Sequence, residues 1–152
     1  MVTTPSHDAE PGPRCLIVGP DVRVRRSLAG LLETSGLLDV IGTASGVIET
    51  LDLASSHRPD VILLDLDRPD ADAWLDLVAT LRDLCPRCAI AVLSTASTLR
   101  SSALAFGADA FVAKTEPAAA IRDAVAALLP GVAARSVEPE AHHLAVRKEI
   151  ES

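Results

Sequence analysis

A chain of 152 residues is long enough for one ordinary domain with a core that needs no disulfide or metal staple. Hydrophobic residues make up 49% and aromatics only 2%, so the core is aliphatic, which suits a parallel sheet covered by Ala- and Leu-rich helices better than an aromatic-rich sandwich. A net charge of -7 with no basic cluster excludes direct nucleic-acid binding, no apolar run approaches the ~20 residues that span a bilayer, and three cysteines, an odd number, do not make a secreted disulfide framework; a cytoplasmic chain off the membrane is expected.

Residues 1–13 are polar and Pro-containing and read as a flexible leader. Cys15 to Val18 is then a short apolar run of the kind a doubly buried strand displays. Gly19-Pro20-Asp21 ends it, Asp21 is placed to cap a helix, and Val24, Leu28, Leu31 and Leu32 recur at helical spacing up to Gly36. Val40 to Ala44 is a second strand. Ser45 is the expected cap of a helix that turns Ile48, Leu51 and Ala54 inward and ends at Arg58-Pro59. Val61 to Leu64 is the most apolar strand and delivers Asp65 at its end.

A helix from about Asp72 follows, with Trp74, Leu77, Val78, Leu81 and Leu84 on one face. Ala89 to Leu93 forms a fourth strand ending at Ser94, Thr98 to Phe106 a helix stopped by Gly107, and Ala110 to Ala113 a fifth strand followed by Lys114. Thr115 and Pro117 start the last helix, whose inner stripe is Ile121, Ala124, Val125, Leu128 and Leu129 and whose end is expected at Pro130-Gly131. Residues 130–152 read as a tail, partly disordered or with a short helix from Ala141 to Ile150, too short for a helix-turn-helix module.

Regular alternation of strand and helix implies a parallel α/β sheet, doubly wound by right-handed crossovers, with the functional crevice outside the strand C-termini. Asp65, Ser94 and Lys114 emerge there from three separate strands, a carboxylate, a hydroxyl and a cation converging on one edge.

The chain resembles the response regulator receiver family over residues 14–129, in Leu16-Ile17-Val18, in Arg58 to Leu66 with Pro69, in Val92-Leu93-Ser94 and in Gly107 to Lys114; the last segment is most similar to NarL/FixJ-type receivers. The resemblance implies a flavodoxin-like strand order 2-1-3-4-5 and a two-component signalling switch rather than an enzyme, with a histidine kinase or other signalling protein as partner. By position, Asp65 is the implied phosphoacceptor, Ser94 the switch hydroxyl that bonds the phosphoryl group, Lys114 its cationic partner and Phe111 the switch aromatic. Members follow strand one with two acidic residues that hold Mg²⁺, and Gly19 and Pro20 stand there instead. Mg²⁺ binding is therefore expected to be impaired, with Asp65, Asp67 and Asp21 as the weak remaining ligands, and phosphorylation by a kinase to be compromised, with phosphorylation-independent regulation as the sub-hypothesis beside it.

Other readings stand beside this one. Leu63 to Asp67 also resembles the D-x-D motif of haloacid-dehalogenase-like phosphatases, although that family places this strand near the chain start. A pure dimerisation module using the last helix face is the third reading, and weak self-association or binding of a partner through the fourth and fifth helices and strand five is expected. Cys85-Pro86-Arg87-Cys88 is a C-x-x-C set running from helix to strand, opposite in polarity to a thioredoxin-like pair, and is read as chance placement. His142-His143 is read as solvated tail, Trp74 as packing, and Asp67, Asp70, Asp72 and Asp76 as a solvated acidic rim.

Overall fold

The computed structural model describes residues 12–67 and 70–151, with side chains to residue 134. Five parallel strands, β1 (Arg14–Val18), β2 (Asp39–Ala44), β3 (Val61–Asp65), β4 (Ala89–Ser94) and β5 (Ala110–Ala113), lie in the order β2-β1-β3-β4-β5. Between and after them run α1 (Val22–Ser35), α2 (Val47–His57), α3 (Ala71–Leu84), α4 (Arg100–Ala105, preceded by a 3-10 turn at Ser97–Leu99) and α5 (Ala118–Glu151). This is the flavodoxin-like doubly wound sheet expected from the alternation. No helix among the described residues is long and apolar enough to cross a membrane.

Alternate residues of each strand serve opposite layers. Leu16, Val18, Ile62, Leu64, Ile90, Val92 and Phe111 face α2, α3 and α4, where Ala54, Trp74, Leu77, Val78, Leu81 and Ala103 close the first core. Cys15, Ile17, Val61, Leu63, Ala91, Leu93 and Val112 face α1 and α5, closed by Leu28, Leu32, Val125 and Val132. Strand β3 is buried along its whole length, so Asp65 at its end is only 2% exposed. Trp74, at 1%, packs in the first core.

Several local expectations are corrected. Gly46, not Ser45, stands at the N-cap of α2; the Ser45 N–H instead donates to Glu49 Oε1. Ile48 is 76% exposed, because the inward stripe is set by Thr50 and Ala54 and Ile48 lies about 120° round the helix from Ala54. Leu84 is half-exposed where α3 runs out past the sheet. The last helix does not stop at Pro130-Gly131 but continues to Glu151. A proline inside a helix removes one hydrogen bond and costs about 3 kcal/mol. Here the Pro130 ring is exposed, and Val132, buried beyond it, keeps the helix on the second core. Residues 1–11 of the leader, together with Pro69 and the side chains of His142 and His143, lie outside the described residues.

Candidate functional site

Strand register brings the site together. Val18 pairs with Leu64, Asp65 with Leu93, and Ser94 with Ala113, so Gly19, Asp65, Ser94 and Lys114 leave the sheet at one edge. Main-chain bonds carry the ladder one step further, from Gly19 N–H to Ala44 O and from Lys114 N–H to Ser94 O. The three residues singled out from separate strands are neighbours in space because a parallel sheet aligns its C-terminal ends.

The chemistry centres on one cation and two carboxylates. Lys114 Nζ lies 2.7 Å from Asp65 Oδ2 and 3.0 Å from Asp67 Oδ2. The Asp67 N–H donates to Asp65 Oδ1 at 2.9 Å, so both Asp65 oxygens are engaged. Asp67 Oδ1 accepts the Ser94 hydroxyl at 2.8 Å, the Thr95 N–H at 2.8 Å and the Thr95 hydroxyl at 3.1 Å. Ser94 is fully buried and its oxygen in turn accepts the Ala96 N–H.

Burial alone would raise the Asp67 carboxyl, but the Thr95 N–H, the Ser94 hydroxyl and the Lys114 ammonium outweigh it and hold it below the usual carboxylate range. Burial works the other way on Lys114, and hydrogen bonds to Asp65 and Asp67 overcome it, so its ammonium is held above the usual lysine range.

Gly19 contributes by having no side chain. A Cβ there would lie 3.1 Å from the Asp65 Cβ, closer than side chains ordinarily pack, and 3.5 Å from its Oδ2, so the Asp65 side chain leaves little room for any residue larger than glycine at position 19. The Gly19 carbonyl is pinned by Arg25 Nη1 at 2.6 Å. Asp21 caps α1 through the Arg23 N–H at 2.8 Å, half-exposed, and belongs to that helix end. Phe111 is buried in the first core with the Arg100 guanidinium 5.0 Å from its ring centroid. Asp70, Asp72 and Asp76 lie on the exposed rim, whereas Asp67 turns inward.

The family model described as response regulator receiver domain matches residues 15–126. The chain belongs to the response regulator receiver family. It is 36% identical over 107 residues to the DNA-binding transcriptional activator DevR/DosR of Mycobacterium tuberculosis, covering 66% of this chain and 48% of that protein. It is 35% identical over 107 residues to a protein-glutamate methylesterase/protein-glutamine glutaminase of Symbiobacterium thermophilum, covering 66% of this chain and 28% of that one. The chain thus spans half or less of the length of these relatives, and the activities in their names belong to the longer proteins. Among solved structures it is similar to the signal receiver domain of NarL from Mycobacterium tuberculosis, with a TM-score of 0.71 and 26% identity over 80% of this chain and 99% of that one. The isolated receiver of RcsB from Salmonella enterica serovar Typhimurium, in the presence of phosphomimetic BeF3-, matches at TM-score 0.71 and 20% identity over 79% and 90% of the two chains, a likeness of fold. Receivers are signalling switches and typically bind Mg²⁺. Membership over residues 15–126 replaces the phosphatase reading of Asp65-Leu66-Asp67.

Sequence reasoning named Asp65, Ser94 and Lys114, which meet in one network, and placed Asp67 on the rim or as a substitute metal ligand. Thr95 was missed, since its main-chain N–H carries no sequence signal beyond following Ser94. Gly19 was noticed as a missing acid and not as the surface on which Asp65 packs. The C-x-x-C thiols sit at the other end of the sheet beside a cleft of about 610 Å³ lined by Arg58, Asp60, Cys85 and Cys88. Burial pushes both thiols up, away from the reactive thiolate.

Proposed function

We propose that this chain is an atypical receiver of a two-component system in which Asp65 is the phosphoacceptor, Ser94, Lys114 and Phe111 read its state, and impaired Mg²⁺ binding lets it signal without depending on phosphorylation. The observation that carries the reading is Lys114 Nζ at 2.7 Å from the Asp65 carboxylate, at a strand end where Gly19 stands in place of a side chain. In phosphoryl transfer an Asp65 oxygen attacks phosphorus as the bond to the donor breaks, and Lys114 is the cation in contact with Asp65 Oδ2.

Mg²⁺ takes hard oxygen ligands in octahedral array, usually one or two carboxylates and several waters. The residues present do not fit it. Gly19 and Pro20 bring no side-chain oxygen, Asp21 caps α1, and the Asp67 oxygens are taken by Ser94, Thr95 and Lys114. Among the described residues no group of three or more His, Cys, Asp or Glu side chains is arranged to hold a metal.

Incubation with a small-molecule phosphodonor and millimolar Mg²⁺, followed by intact mass, is expected to give slow, partial labelling that Asp65→Asn abolishes. Rapid stoichiometric labelling at low Mg²⁺ overturns the impaired-metal part of the reading. Label that survives Asp65→Asn overturns the phosphoacceptor. The output runs by this reading to a kinase, a second copy or another protein through the face of α4, β5 and α5, where Leu104 and Phe106 are 43% and 38% exposed.

A further inference from the structure

We propose that Asp67 is a built-in ligand of this chain's oxyanion pocket, occupying the donors that a phosphoryl group or other tetrahedral oxyanion beside Asp65 would need. The inference rests on the reading of Asp65 as phosphoacceptor for its meaning in signalling, but its physical content is independent of it.

A tetrahedral oxyanion held next to Asp65 needs a cation to offset the like charge, and N–H or O–H donors on its free oxygens. Among the described residues this edge of the sheet offers the Lys114 ammonium, the Ser94 hydroxyl, and the Thr95 N–H and hydroxyl, and all four meet the Asp67 carboxylate, Lys114 being shared with Asp65. Asp67 Oδ1 takes Ser94 and both Thr95 donors, and Asp67 Oδ2 takes Lys114 at 3.0 Å. An oxygen receiving three donors is saturated. The two carboxylate oxygens therefore stand in for two oxygens of an external anion.

The geometry also gives the reason the ligand stays. Asp67 is two residues from Asp65, and the bond from its own N–H to Asp65 Oδ1 forms a turn that directs its side chain across the edge to β4. A tethered carboxylate competes at high effective concentration against any free anion. Every group on its two oxygens is a donor or a cation, the partner set that a carboxylate rather than a carboxylic acid accepts. Its neighbours Asp70, Asp72 and Asp76 are exposed, so this carboxylate alone of the four is turned into the donor set.

The consequence reaches the loop after β4. Ser94 is fixed to Asp67 on one side and accepts the Ala96 N–H on the other, so the segment from Ser94 through Ala96 into the turn at Ser97–Leu99 and α4 is held in the arrangement of a filled pocket. The loop and the α4 face are thereby set without a phosphoryl group.

The test is a titration of the ¹⁵N-labelled full chain with inorganic phosphate, following the Thr95 and Ala96 amides in wild type, Asp67→Ala and Asp67→Asn. In wild type these amides are expected to stay in place up to tens of millimolar phosphate. In Asp67→Ala they should shift and saturate, with affinity at least about tenfold tighter than any wild-type response, since charge-assisted donors are released. Asp67→Asn, which keeps an oxygen acceptor but not the charge, should fall between. Adding Lys114→Met to Asp67→Ala should abolish the response. Wild type titrating as tightly as a folded Asp67→Ala, or Asp67→Ala with dispersed amides and no response, overturns the proposal; if Asp67→Ala does not fold, Asp67→Asn decides it by the same criterion. Phosphodonor labelling run in parallel separates the two readings. A phosphate response in Asp67→Ala without covalent label at Asp65 sustains the pocket and overturns the phosphoacceptor.

Discussion

Two partly buried cations paired with carboxylates, Arg82 at one end of the sheet and Lys114 at the other, are satisfied in opposite ways. At the N-terminal edge Arg82 of α3 donates to the carbonyls of Gly107, Cys88 and Pro86 and pairs with Asp109, whose carboxylate also accepts the Ile90 N–H. One positive charge meets one negative charge and three fixed main-chain oxygens. At the C-terminal edge Lys114 is shared by two carboxylates, Asp65 and Asp67, and leaves the set one charge short of neutral. The first arrangement is a staple between α3 and the starts of β4 and β5, with no group left to exchange. The second shares one cation between two carboxylates, so a change of charge on either alters the pairing of the other. Burial is similar, the Arg82 and Lys114 side chains being 25% and 21% exposed, so it is the partners that distinguish architecture from switch.

Breaking the staple should have the largest effect. Arg82→Ala strands a carboxylate and several carbonyls and is expected to cost about 3 kcal/mol in urea denaturation, while the rate of phosphodonor labelling per folded molecule stays within twofold. A loss below about 1 kcal/mol would show that the carbonyls find water and that the two edges differ less than their partners suggest. At the other edge Lys114→Met is expected to cost less, about 1–2 kcal/mol at neutral pH, because Asp67 keeps its Ser94 and Thr95 donors. The same variant should abolish labelling at Asp65, which the Arg82 change does not.

The pH dependence sharpens the contrast further. A carboxyl depressed by folding adds stability above its unfolded pKa that is lost as pH falls through the folded value, so the Asp67 share disappears below the ordinary value of 3.8. Lys114 is raised by folding, so its share is complete below the ordinary 10.5 and is lost as pH rises through the folded value above that. Melting temperatures across both limits should show the acid loss blunted in Asp67→Asn and the alkaline loss blunted in Lys114→Met. The smallest effect concerns the cysteines beside the staple. Cys88 is 2% exposed with its thiol pushed up, and Cys85 is half-buried. Iodoacetamide at pH 8 is expected to place one adduct on Cys85 well before Cys88 reacts, with no change in labelling at Asp65.

The sheet order and the three residues from separate strands were legible because strand position is written in apolar runs and parallel strands align their ends. Helix limits were less so. Ile48 is apolar at a spacing compatible with the inner stripe, yet Thr50, whose hydroxyl is satisfied by the Gly46 carbonyl, takes the buried place. Pro130 reads as a stop because local propensity opposes it, and packing of Val132 on the second core outweighs that. In the site, side-chain identity pointed to Asp65, Ser94 and Lys114, whereas the direction of Asp67 depends on a two-residue turn and on a main-chain donor, Thr95, that any residue type supplies.

The contact between Gly19 and Asp65 bears on how such a chain changes over evolutionary time. With the Asp65 Cβ only 3.1 Å from where a Cβ at position 19 would stand, a side chain at position 19 requires Asp65 or its own backbone to give by a few tenths of an ångström. Substituting an acid at position 19 alone first meets a steric penalty, and a second change at Pro20 is needed before both lost acidic positions are refilled. Either change alone gains less than a full ligand set, and the one at position 19 also strains the packing against Asp65. The glycine thus sets a packing cost on any acid introduced at position 19, met before a metal ligand is gained.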